Sequence, residues 1–166
     1  MDRIVEAHEL EPIAYRESGQ AVMAFFEGAP VRPVHIEPEM AEHGGRRWIY
    51  CAHWPDWADP YSEKFSARAG REWFEKQMVV TFAGGIAERL HQGEKESGTE
   101  IDWEQARIPA GGFWNGERVT QSWLRWLYVR AEEAMVEPYA WETIRTIAIE
   151  LLNRRMLHRR ALASLI

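Results

Sequence analysis

The run "MVVTFAGGIAERL", residues 78 to 90, constrains the fold more than any other stretch. It is the most apolar part of a helical pattern that starts near Ser62 to Ser66 and continues toward Leu90. Gly84 and Gly85 interrupt it. Two glycines in a helix interior cost about 1 kcal/mol each against alanine. They therefore imply either a break into two helices or a face stripped bare so that another helix can approach closely. A second helix carries a matching feature. "PIAYRESGQAVMAFFE", from Pro12 to Glu27, holds Gly19 at its centre and ends at Gly28, a natural helix stop. Ile13, Val22, Phe25 and Phe26 form its expected core-facing stripe.

Between these helices, Val34-His35-Ile36 and Arg47-Trp48-Ile49-Tyr50-Cys51 read as short strands, with Gly44 and Gly45 placed for a hairpin. "PDWADPYS" is a loop by its prolines and aspartates. Trp54 and Trp57 lie in or beside it, as a packed lid or as a partner-binding rim. "GEKESGTE" is a polar connector, "IDWEQARI" a short helix and "PAGGFWNGE" a Gly-rich loop. Two helices close the chain as a helical hairpin. "RVTQSWLRWLYVRAEEAMV" places Val119, Trp123, Trp126, Leu127 and Ala131 at helical spacing. "PYAWETIRTIAIELLNRRML" begins at Pro138 and carries Ile144, Ile147, Ala148, Leu151 and Leu152. The basic run from Arg154 to Arg160 suits the last turns of a helix, where cations complement the dipole.

Composition narrows the classes. The 166 residues suit one domain spanning 1–166, and a 46% hydrophobic content supports a real core. A formal charge of −6 argues against a nucleic-acid surface. No apolar run approaches the ~18 residues of a membrane span, and the N-terminus lacks the apolar core of a signal peptide. Cys51 has no intrachain partner, which fits a reducing, cytoplasmic compartment. No phosphate-binding G-x-x-x-x-G-K-[ST] loop is present, so no ATPase domain is expected.

The chemical signal lies in Arg16-Glu17-Ser18-Gly19-Gln20. With histidine at 16 and 20 this would be H-E-x-x-H. There, two imidazoles one helical turn apart bind Zn²⁺ and the intervening Glu takes a proton from metal-bound water. Four blocks, "AYRESGQAV", "VHIEP", "FAGGIAERL" and "EIDWEQA", occur in order. Together they resemble the protease domain of the FtsH-type zinc peptidases (family M41) and their stand-alone bacterial relatives. The likeness extends over roughly residues 9 to 160, with only those four blocks specific. It implies an α+β, mainly helical, zincin-like fold with a small N-terminal sheet or hairpin and a C-terminal helical hairpin. It also implies roles by position. Glu17 matches the general base and Asp102 the third zinc ligand, while Arg16 and Gln20 stand where both histidine ligands belong.

Arginine keeps its proton and offers only donors, and glutamine offers one weak neutral oxygen. Zinc is therefore expected to be absent, with no cofactor in its place and Glu17 a vestigial base. Without the metal, no group lowers the pKa of water from 15.7 to about 7. Arg16 is expected either to pair with Asp102 in place of zinc, with Gln20 bonded to one of them, or to turn to solvent while Asp102 caps its helix. The leading expectation is a zinc-less, non-catalytic domain that binds a peptide or a partner protein, with Trp54 and Trp57 at the rim and a homo-oligomer left open. An altered hydrolase using Glu17 and Asp102, with another metal or none, and an inert structural or regulatory module are the alternatives.

Overall fold

A computed structural model describes residues 7–29, 31, 33–36, 67–93, 103, 106–107 and 110–166. The fold is mainly helical with one small antiparallel sheet. Its elements run in the order α1 (Ala7–Phe26), β1 (Val34–His35), α2 (Ala67–Gln92), α3 (Glu117–Val136), α4 (Pro138–Arg154), β2 (Met156–Leu157) and α5 (Arg159–Leu165). Trp103, Ala106 and Arg107 are helical, in keeping with the short helix expected there.

α1 is the central helix. It lies against α2 on one side and α4 on the other, and Ala14 to Ala24 are all buried. It starts earlier than expected, so Pro12 sits inside it. Pro12 lacks the N–H that would bond the carbonyl four residues back, but this loss falls near the helix end, where it disrupts little. The C-terminus is a Schellman motif: Gly28 adopts φ 65°, its N–H donates to the Phe25 carbonyl, and the Ala29 N–H donates to the Ala24 carbonyl. The expected stripe is only half right, since Val22 is buried but Phe25 and Phe26 are exposed.

α2 runs unbroken through Gly84-Gly85 and ends at Gly93, φ 67°. α3 packs on α2 while α4 packs on α1. The closing pair is thus joined by Glu137 alone, yet its two members serve different neighbours. In α4 the expected Ile144, Ile147, Ala148 and Leu151 are buried. In α3 the expected Leu127 and Ala131 are buried and Trp123 packs partly buried against the core, so the expected face holds only in part. The inward row is Thr120, Leu124, Leu127, Ala131 and Met135, while Val119 and Trp126 point outward.

Only the start of the C-terminal basic run is a helix end, with Arg154 in the last turn of α4. α4 stops at Arg154, and Arg155 takes a left-handed conformation at φ 63°. Chain reversal there sets β2 against β1, with Val34 opposite Leu157 and His35 opposite Met156. Arg159 and Arg160 then open a separate helix. β1 therefore belongs to a sheet closed by the far end of the chain. The second strand expected at residues 47–51 lies outside the described residues, as do Trp54, Trp57 and Asp102. No helix among the described residues is long and apolar enough to cross a membrane.

Candidate functional site

The site is built where α1 crosses α2. A Cβ placed at Gly19 would lie 2.5 Å from the Ala87 Cβ and 2.7 Å from the Ala83 carbonyl oxygen. One at Gly84 would lie 2.7 Å from Gln20 Cγ and 2.8 Å from Gln20 Nε2. Both glycines are therefore contact surfaces, and the backbones meet because neither carries a side chain. Residue 16 faces 88 and residue 20 faces 84, so the helices run antiparallel through the crossing.

This contact drives polar side chains inward. Arg16, Glu17 and Gln20 are 7%, 4% and 2% exposed, and Ser18 is fully buried with its hydroxyl donating to the Ala14 carbonyl at 2.6 Å. An ion as deeply placed as Arg16 needs a partner. Its Nη1 donates to Glu88 Oε2 at 3.1 Å, and 24% of the Glu88 side chain remains exposed. The expectation that Arg16 might instead turn to solvent is corrected: the crossing encloses it. Its expected pairing with Asp102 falls on a residue outside the described set.

Glu88 was missed as a site residue, although its signal was present. It follows Gly84 by four positions and shares its helix face. A face that opens at a glycine and continues to a carboxylate one turn on points that carboxylate at the same neighbour.

Burial pushes the Glu17 carboxyl well above its ordinary value of 4.5, and the Arg16 charge only partly opposes this. Gln20 packs its amide over Gly84. On the flank of the crossing, His91 stacks on Tyr15 with centroids 3.8 Å apart and 9° between planes. His91 Nε2 lies 3.7 Å from Glu11 Oε2. His91 lies in the last turn of α2 and serves there as a packing surface for α1.

The arrangement brings together three of the expected positions, Arg16, Glu17 and Gln20, and adds Glu88. Among the described residues, no three His, Cys, Asp or Glu side chains converge as a metal-binding group. Chemically, the crossing offers a fixed guanidinium, a buried carboxyl whose pKa is raised by desolvation, and a primary amide. These can hold charge and donate hydrogen bonds, but they do not supply the nitrogen donors that a zinc site takes from histidine. No protein-family model matches the chain, and no curated protein matches it significantly.

Proposed function

We propose that this chain is a non-catalytic, zinc-less domain of the M41 metallopeptidase kind, retained to bind an extended peptide or a partner protein. One observation carries the reading: the Arg16 guanidinium is buried at the helix crossing and fixed on Glu88 at 3.1 Å. In the resembled peptidases that helical position presents the first metal-binding imidazole. A permanent cation held there opposes a divalent ion at the same point, since like charges in a water-poor site repel strongly.

Peptide binding by strand addition requires no metal. The peptide would add to the edge of β1 away from β2, with Trp54 and Trp57 forming the rim. The domain is expected to act in the cytoplasm, without nucleic acid or membrane as partner. Two measurements on one preparation test this. Metal content by plasma mass spectrometry is expected to show no stoichiometric zinc. A screen of extended peptides is expected to yield binders that Trp54→Ala weakens about tenfold, the scale of a moderate aromatic contact. One equivalent of zinc that disappears in Asp102→Ala would restore an enzyme reading. A screen without binders would leave a structural module in its place.

A further inference from the structure

α3 has two apolar faces, and the core uses only one. The inward row, Thr120, Leu124, Leu127, Ala131 and Met135, packs toward α2. On the opposite side lie Val119, Trp126, Val129 and Val136, which are 50%, 52%, 38% and 55% exposed. At about 100° per residue, this outer row is centred roughly half a turn from the inner one. Singly exposed apolar residues are ordinary on any protein surface. This row is different, because its intervals of seven, three and seven are the a and d positions of a heptad repeat. Ser122 and Glu133 occupy the remaining two seam positions.

We propose that the outward face of α3 is a homodimer interface in which two copies pack α3 against α3 in antiparallel register. The residues beside the seam select both the partner and the direction. In an antiparallel pair Val119 meets Val136 of the second copy, Trp126 meets Val129, and the Ser122 hydroxyl can donate to the Glu133 carboxylate. On the flank, Arg125 falls beside Glu132 of the second copy, twice by symmetry. Arg125 is exposed and makes no ion pair among the described residues. Glu132 accepts from Arg89 at 2.5 Å but keeps 38% of its side chain exposed.

A parallel pair keeps the apolar seam but reverses the charged contacts. Arg125 would face Arg130, Glu132 would face Glu137, and Glu133 would face its own copy in the seam. The charge pattern therefore fits a second copy of this helix in one direction only. Trp126 lies near the middle of the row, where an aromatic anchor contributes most. It is partly braced already, with the Arg130 guanidinium 6.0 Å from its ring centroid and Arg130 held by Glu27 at 2.5 Å.

A 20-residue helix is about 30 Å long, so the contact falls at the small end of specific interfaces and the dimer should be reversible. Sedimentation equilibrium from about 1 to 300 μM should show the mass rising toward twice the monomer value, a range suited to a weak interface. Trp126→Asp should raise the dissociation constant about 30-fold or more. Arg125→Glu and Glu132→Arg should each weaken the dimer alone, and an equimolar mixture of the two should recover it. Should Trp126→Asp lose helical circular dichroism, Val136→Lys at its exposed site gives the same readout.

Direction is read by oxidation in a Cys51→Ser background. Val119→Cys mixed with Val136→Cys should cross-link, and neither should cross-link alone. A mass that stays monomeric at every concentration, a dimer indifferent to both Trp126→Asp and Val136→Lys, or self-linking of Val119→Cys would each overturn the proposal.

Discussion

Where α2 meets α1, the helices touch through Gly19, Ala83, Gly84 and Ala87. Where it meets α3, large rings fill the gap. Phe74 stacks with Trp123 at 5.2 Å between centroids, and Phe82 packs at 5.1 Å from Trp103 and 5.5 Å from Tyr128. One side of α2 is therefore closed by removing side chains and the other by adding them. The first arrangement fixes backbone against backbone and encloses Arg16, Glu17 and Gln20. The second supplies apolar area and keeps the α2–α3 ion pair Arg89–Glu132 toward the partly exposed rim. A polar site needs walls that cannot relax around it, and close backbone contact provides them; the aromatic side supplies the stability that a polar crossing lacks.

The largest effect that would break this contrast is expected on the aromatic side. Phe82→Ala should destabilise the domain by about 4 kcal/mol in urea unfolding, because a fully buried ring loses its transfer energy and leaves a cavity. A loss well under that would mean the aromatic layer collapses readily and is not the main anchor. At the crossing, Gly19→Ala should cost about 2 kcal/mol, since the new Cβ meets a carbonyl oxygen and another Cβ that cannot move alone. Gly84→Ala meets only the flexible Gln20 side chain. Its effect should stay within about 1 kcal/mol, because the gain in helix propensity offsets the crowding. Equal effects at the two glycines would show that the crossing is not rigid.

A smaller effect sharpens the electrostatics. Glu17 binds its proton more tightly folded than unfolded, because burial raises its pKa. Its contribution to stability is complete below the ordinary value of 4.5 and is lost as pH rises toward the folded value. Glu17→Gln should remove that decline and make the protein more stable at neutral pH than the parent, as seen in melting curves recorded from pH 4 upward. An unchanged pH profile would mean that Glu17 stays ionised in the fold. Smallest of all, Arg155→Gly should relieve a left-handed non-glycine backbone worth about 1 kcal/mol, a rise in Tm of about 2–4 °C.

The same contrast explains what could be read from the chain. Helices, their approximate spans and the close approach at Gly19 and Gly84 were legible because glycine inside an apolar helical run has few other uses. The inward face of α4 was legible because its apolar residues concentrate on one side, with Tyr139 and Ile149 as exposed exceptions. α3 was read only in part: Leu127 and Ala131 face in, but Val119 and Trp126 also look like core residues when a helix has apolar rows on both sides, and periodicity alone cannot say which row faces in. β2 was missed because a two-residue strand gains its identity from the partner it meets, here β1 more than a hundred residues away. For Arg16, enclosure in the fold was one of two outcomes left open by the sequence. The Arg16 partner, Glu88, depended on the register of the α1–α2 crossing, which a single helix does not reveal.

The measurement that bears most directly on the central claim is zinc binding by Arg16→His/Gln20→His, followed by isothermal titration beside the parent protein. Removing the Glu88-held cation and supplying two imidazoles one turn apart should create a site for about one equivalent of zinc, with Asp102 as the third ligand, while the parent binds none stoichiometrically. A folded double variant that gains no zinc affinity, or a parent that already binds one equivalent, would contradict the claim that a fixed guanidinium stands where the metal would be.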